Sequence, residues 1–266
     1  MVTKAAIPGR LAGRIAVVTG AARGIGEAIA RQLATSGAAV VIADRDGDLA
    51  MSVAAGLVET GFEAVGVPTD IADEAGVAGL AAVVNARWGK LDILVNNAAI
   101  LDATPLGQLT RERFETVQAV NQNGALWVTM AMLDLLRRSQ QGRIVNIASI
   151  LGVRGTADSV PYTTAKGGLV NMTRSLAVDL APDGILVNCI CPGFVDTRMA
   201  LLPDGSGHEH QTEWFKDIYI KHGRIPLRRA ALPDDIAAAT SFFCGDDCRY
   251  VTGQILLVDG GVSATF

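Results

Sequence analysis

The hydrophobic positions of this chain fall in short apolar runs separated by stretches with three- to four-residue periodicity. The runs RIAVVT (14–19), AAVVIAD (38–44), EAVGVP (63–68), LDILVN (91–96), RIVNIAS (143–149), ILVNCIC (185–191) and QILLVD (254–259) are near-continuously apolar. Such runs suit strands buried on both faces, which parallel sheets require. Between them, Ile25, Ile29 and Leu33 recur at helical spacing before Gly37, a residue suited to a helix C-cap. Helices are likewise predicted over 73–88, 110–138, 160–181 and 233–244. Alternating strands and helices imply a parallel sheet covered by helices, and right-handed crossovers favour a doubly wound α/β sheet. Ligands then bind beyond the carboxyl ends of the strands. One stretch breaks the rhythm: residues 198–225 combine a Pro/Gly/Ser turn with an aromatic, helix-like piece. An insertion of that length in a compact domain reads as a substrate lid.

Composition narrows the picture. The chain has 266 residues, 50% hydrophobic and 19% charged, with net charge −4. It reads as a single globular domain (13–266) behind a short leader (1–12), without the basic excess a nucleic-acid binder needs. No apolar run approaches the ~18 residues of a membrane span, and the N-terminus lacks a secretory signal pattern. The expected compartment is the cytoplasm. There Cys189, Cys191, Cys244 and Cys248 read as buried free thiols. His208-Glu209-His210 reads as an exposed polar loop, and no metal site is expected.

The polar residues at strand ends carry the candidate chemistry. Thr19-Gly20-Ala21-Ala22-Arg23-Gly24-Ile25-Gly26 places Gly20, Gly24 and Gly26 between a strand and a helix. Such a turn lets a pyrophosphate approach the backbone at a helix N-terminus. Asp44, 24 residues beyond Gly20 and ending the second strand, is positioned to accept both ribose hydroxyls of NAD. Arg23 and Arg45 argue the other way, because either could pair with the 2′-phosphate of NADP. NAD is favoured, since a carboxylate beside a phosphate is costly and an idle arginine is not. Asp70-Ile71 follows the third strand, where Asp70 either holds the adenine amino group or caps the next helix. Asn96-Asn97-Ala98-Ala99 follows the fourth, with small residues against which adenine or ribose can pack. Tyr162 and Lys166 sit at i and i+4, on one helical face. Ser149 ends the preceding strand, and Asn121 interrupts a long helical region where asparagine is a poor helix former.

TGAARGIG, NNAA, Asn121 in VNQNG, Ser149, YTTAK and CPGFVDT stand in the order and spacing of the short-chain dehydrogenase/reductase family, which this chain resembles from about residue 12 to its C-terminus. NNAA departs mildly from the usual NNAG. The resemblance implies a Rossmann-like fold and hydride transfer between NAD(H) and a secondary alcohol or ketone. It implies that Tyr162 is the acid in reduction and the base in oxidation. The Lys166 ammonium, together with the positive nicotinamide ring of NAD+, would lower the phenol pKa, and Lys166 would also hold the nicotinamide ribose. Ser149 positions the substrate oxygen, and Asn121 holds a water that links Lys166 to solvent. The Val195 backbone and Thr197 hydroxyl hold the carboxamide. The family's assembly suggests a homotetramer built on the two long helical regions and the C-terminal segment.

The substrate is harder to read. Ile150, Leu151, Ser159, Trp214 and Phe215 are the expected pocket lining. Arg154 either clamps a substrate carboxylate or faces a neighbouring subunit. Asp102, Asp158 and Ser159 lean the reading towards a polyol, sugar or other small hydroxylated molecule. The alternatives are an NADPH-dependent 3-oxoacyl carrier-protein reductase, in which Arg23 and Arg45 take the phosphate, and a non-catalytic nucleotide-binding protein on the same fold.

Overall fold

A computed structural model describes residues 9–202, 205 and 207–264. Seven strands form one parallel sheet: β1 (Ile15–Thr19), β2 (Ala39–Asp44), β3 (Ala64–Pro68), β4 (Ile93–Asn96), β5 (Arg143–Ile147), β6 (Leu186–Pro192) and β7 (Ile255–Val258). Their order is β3-β2-β1-β4-β5-β6-β7, so the direction of winding reverses between β1 and β4. The helices are α1 (Gly24–Thr35), α2 (Gly47–Glu59), α3 (Glu74–Trp88), α4 (Arg111–Gln118), α5 (Gly124–Arg137), α6 (Val160–Leu180), the single turn α7 (Glu213–Phe215) and α8 (Pro233–Cys244).

The continuous apolar runs are explained by burial on both sides. In β1, Ala16 and Val18 pack with α1, α2 and α8, while Ile15 and Val17 pack with α3, α5 and α6. In β2, Val40 and Ile42 join the first layer and Val41 and Ala43 the second. A period of two thus becomes a run with no polar gap. The doubly wound α/β architecture and all seven strands match the pattern in the sequence, to within two residues at each end.

Three features differ from the expectation. The predicted helix over 110–138 is two α-helices joined by a π-turn at Ala119–Asn123, so that Asn121 lies in a widened turn. Helix α2 was not among the expected helices, although Ala50, Val53, Ala54 and Leu57 recur at helical spacing and are buried. Within the expected leader, the chain from residue 9 onward packs against the domain. Leu11 is buried and its N–H donates to the Ser36 carbonyl at 2.8 Å, so this stretch is docked. Residues 1–8 of that leader, and the last two of the C-terminal segment, lie outside the described residues.

A buried polar chain ties the central strands to the helices behind them. Asn96 Nδ2 donates to Thr129 Oγ1 at 3.1 Å and to Asn146 Oδ1 at 2.9 Å. Asn146 Nδ2 donates to Thr173 Oγ1 at 2.9 Å. This joins β4, β5, α5 and α6 in the layer from which the site residues project. Replacing Asn146 removes two buried bonds and strands their partners, which typically costs ~1–3 kcal/mol. Asn146→Ala should therefore lower the unfolding free energy by an amount in that range, read as a lower urea midpoint at unchanged m; an unchanged midpoint would show that the chain does not hold these layers together.

Candidate active site

The loops after β1 to β4 enclose a cleft of about 650 Å³, lined by Gly20, Arg23, Gly24, Asp44, Asp70 and Ile71 among others. Gly20 has φ +61, and a Cβ there would lie 2.7 Å from the Ala98 Cα. A Cβ on Gly26 would lie 2.2 Å from the Gly20 carbonyl oxygen and 2.5 Å from Asn97 Nδ2. Only glycine admits this turn, which brings the backbone to the N-terminus of α1. Asn97 Nδ2 donates to the Thr19 and Gly20 carbonyls at 2.9 and 3.0 Å, so its side chain braces the turn and borders the cleft.

Asp44 is half-buried, with Oδ2 accepting from the Ala22 N–H and Oδ1 from the Asp46 N–H, both at 3.0 Å. These bonds hold the carboxylate at the cleft wall. Arg23 pairs with Asp46, whereas Arg45 is exposed at the cleft edge. Asp70 does not cap α3. That role belongs to Asp73, whose carboxylate accepts from Gly76 N–H at 2.9 Å, while Asp70 accepts from Ala72 N–H and borders the cleft. Ile71 lies beside it and is buried. A glycine cradle, helix N–H groups and a braced carboxylate fit a dinucleotide with a diol at one end.

A second cleft of about 380 Å³ continues from the first, and Thr197 lines both. Ser149, Tyr162 and Lys166 line this one. Helix α6 presents the phenol and the ammonium on one face, and Pro161 in its first turn lacks an N–H where none is needed. Ser149 Oγ accepts from Leu151 N–H at 3.1 Å, and Ser149 and the Tyr162 phenol line the same cleft wall, close enough for the hydroxyl to lower a phenol pKa that burial raises. Lys166 Nζ donates to the Ile147 carbonyl at 2.8 Å and lies 5.8 Å from the Tyr162 ring centre. Asn121 is 1% exposed; its side chain accepts from the Ile100 N–H and donates to the Ile100 carbonyl, both at 2.8 Å.

The expected lowering of the phenol pKa needs the nicotinamide ring as well as Lys166; burial in the protein alone acts the other way. It pushes Tyr162 up to about 12, partly opposed by the Ser149 hydroxyl. Burial also pulls Lys166 down to about 8. Desolvation disfavours the charged form of both groups and is the largest influence on each in the protein alone.

The loop after β6 connects the two clefts. Val195 forms a bridge with Ala231 through the Phe194 carbonyl and the Asp196 N–H, which leaves its own amide outside that pairing. Thr197 packs near Gly24, and its carbonyl accepts from His208 Nε2 at 3.0 Å. His208 does not lie in an exposed polar loop: its side chain is 11% exposed, and Nε2 is also 3.1 Å from Asp196 Oδ1. Asp196, His208 and His210 place ligand-type atoms within 4.8 Å of one another. His208 Nδ1 accepts from the His210 N–H at 3.2 Å, which leaves Nε2 protonated as a donor. Both ring nitrogens are thus engaged, and His208 clamps the 198–225 segment to the loop after β6.

Most of the expected substrate residues converge. Ile150, Leu151, Ser159 and Trp214 line the second cleft. Phe215 instead lies beneath it, 1% exposed and packed on Phe194 and Tyr219. Arg154 does not line it; the guanidinium is turned away to the Ser263 carbonyl at 2.9 Å. Nor do Asp102, which is paired with Arg113 at 2.8 Å, or Asp158. Phe194, Glu209, His210 and Tyr219 line it without having been anticipated. The density of aromatic and histidine residues over 208–219 was the available signal. The four cysteines are free and buried. Among the described residues no helix is long and apolar enough to cross a membrane.

The Enoyl-(Acyl carrier protein) reductase family model matches residues 20–263. The cis-4-hydroxycyclohexanecarboxylate dehydrogenase of Sinomonas cyclohexanicum is 41% identical, over 94% of this chain and 97% of its own. The 3-oxoacyl-[acyl-carrier-protein] reductase of Aquifex aeolicus is 35% identical, over 95% and 98%. Among solved structures, a gluconate 5-dehydrogenase from Burkholderia cenocepacia in complex with NADP and tartrate superposes with a TM-score of 0.88 at 33% identity, covering 97% of this chain and 98% of its own. With these relatives matched along nearly their whole length, and with the glycine turn and the Ser149–Tyr162–Lys166 group at the ends of a seven-stranded parallel sheet, the chain belongs to the short-chain dehydrogenase/reductase family of oxidoreductases.

Proposed function

We propose that this protein interconverts a secondary alcohol and its ketone with NAD as the hydride carrier, on a small hydroxylated substrate such as a polyol or sugar. The observation that carries the reading is the Ser149–Tyr162–Lys166 group, which lines a cleft continuous with the dinucleotide groove. A non-catalytic binding protein would have no use for this group.

Gly20, Gly24, Ile25 and Gly26 would hold the pyrophosphate, Asp44 the adenine ribose, and Asp70 with Ile71 the adenine. Asn97 would support the nicotinamide ribose from the neighbouring loop, and Lys166 would bind that ribose directly. The Val195 amide and Thr197 hydroxyl would hold the carboxamide. When bound, the nicotinamide supplies the hydride acceptor for oxidation and the hydride donor for reduction. In reduction, Tyr162 Oη donates its proton to the ketone oxygen, and burial keeps that proton in place until then. Ser149 Oγ donates a hydrogen bond to the same oxygen. Asn121, in its π-turn, holds a water through which Lys166 exchanges protons with solvent. Oxidation requires the phenolate, which positive charge in the closed site favours.

NAD is favoured because the braced Asp44 carboxylate faces the place of a 2′-phosphate, and Arg23 is engaged by Asp46. The second reading is an NADPH-dependent 3-oxoacyl carrier-protein reductase. Arg45 at the cleft edge and the NADP in the Burkholderia relative favour it. We further propose a homotetramer in a reducing compartment such as the cytoplasm. Trp127 and Met130 on α5 and Val178 on α6 are exposed apolar side chains suited to subunit contacts, and the four free thiols suit the compartment.

Tyr162→Phe should reduce turnover by about 10²–10⁴-fold, the usual range for loss of a general acid. Its NADH affinity, read by fluorescence titration, should stay within about threefold of wild type; near-normal turnover would remove Tyr162 from the mechanism. Asp44→Ala should lower the NAD-over-NADP ratio of kcat/KM about tenfold or more, worth ~1.4 kcal/mol; an unchanged ratio would favour the NADPH reading. Sedimentation at micromolar concentration should give four times the 27.7 kDa chain mass, and a single-chain mass would contradict the assembly.

A further inference from the structure

The substrate cleft is asymmetric in charge. Among its described lining residues the only lysine or arginine is Lys166, which is 2% exposed and donates to the Ile147 carbonyl beside the catalytic pair. The only carboxylate there is Glu209, on the lid. Its backbone is fixed: the Glu209 carbonyl accepts from Thr212 Oγ1 at 2.7 Å and from Thr212 N–H at 3.1 Å. Its side chain is half-buried, and among the described residues no hydrogen bond or ion pair to the carboxylate is formed. His208, which acts on Glu209 when charged, has its ring nitrogens committed to Asp196, Thr197 and the His210 N–H, and Arg224, which acts on Tyr219, lies outside the cleft lining. Burial pulls the pKa of His210 down, so it supplies no compensating charge at neutral pH.

Aromatic rings line the same cleft, and Tyr219 is close enough that the Glu209 charge adds to burial in raising its pKa. Tyr219 packs 4.5 Å from Phe194 and 5.5 Å from Trp214, between ring centres, and all three line the cleft. Trp214 is 58% exposed, leaving its ring available to a ligand. A carboxylate with aromatic faces beside it is the arrangement that receives an ammonium group, through charge pairing and cation–π attraction. The same arrangement penalises a substrate carboxylate, which would meet Glu209 with no cation between them.

We propose that the lid end of the cleft binds an ammonium group, held by Glu209 against Trp214 and Tyr219, so that the preferred substrate is a secondary amino alcohol or its aminoketone. This rests on the reading of the site as a secondary-alcohol oxidoreductase and names its substrate class. The ammonium stays at the lid while the carbinol carbon lies at Ser149 and Tyr162. The reaction remains hydride transfer from that carbon to oxidised NAD, with the hydroxyl proton passing to Tyr162 Oη.

The test compares matched ligands on the wild-type protein with NAD+ bound: 4-aminocyclohexanol and 1-amino-2-propanol, their methyl counterparts 4-methylcyclohexanol and 2-butanol, and 4-hydroxycyclohexanecarboxylate. Calorimetry gives affinity and nicotinamide absorbance gives turnover. At least one amine should bind tenfold or more tighter than its methyl counterpart, and the carboxylate should bind weakest. In Glu209→Gln the amine-to-methyl ratio should fall to within about threefold of one. Amines that bind no tighter than their counterparts, a preferred carboxylate, or a preference that survives in Glu209→Gln would each overturn the proposal. Amine preference in binding without NADH formation would instead count against the oxidoreductase reading. Turnover of the methyl compounds without amine preference would count against the ammonium site alone.

Discussion

Burial of Tyr162 and Lys166 beside Ser149 is the constraint on which the rest of this structure depends. Two ionisable groups one helical turn apart in an apolar interior each resist charging: the phenol is pushed up to about 12 and the ammonium pulled down to about 8. A neutral phenol with the Ser149 hydroxyl beside it suits proton donation. Conversion to phenolate needs positive charge from outside the protein's own residues, which couples that step to what occupies the adjoining groove. The site thus stores a proton in the free protein and becomes able to accept one when the groove fills.

The fold serves that constraint. The polar chain from Thr129 through Asn96 and Asn146 to Thr173 fixes β5 against α6, so Ser149 and Tyr162 meet at the carboxyl end of the sheet. The glycine turn after β1 and the loop after β6 approach each other at Gly24 and Thr197, joining groove and cleft. His208 then ties the lid to that loop, so substrate-side and cofactor-side walls share one clamp.

Much of this was legible in the sequence because it rests on periodicity and local stereochemistry. Apolar runs identified all seven strands, and the glycine turn, Asp44, Ser149, Tyr162 and Lys166 fall at strand ends or on one helical face. What escaped depends on tertiary burial or on partner choice. The starting value of the phenol pKa was not legible, because depth of burial, which the sequence does not display, sets it high in the protein alone. Arg154 and Asp102 looked like substrate residues until Ser263 and Arg113 claimed them. Glu209 and His208 were read as solvent-facing because a polar triplet in a loop gives no sign that aromatic rings fold over it. The π-turn at Asn121 left only a trace, an asparagine in the middle of a helical pattern.

The most direct test is the ionisation of Tyr162 itself, read as the ultraviolet phenolate difference between wild type and Tyr162→Phe across an alkaline titration. The account predicts a pKa near 12 in the free protein, falling clearly when NAD+ is added. A phenolate already present near neutral pH in the free protein, or a titration that NAD+ leaves unmoved, would contradict it.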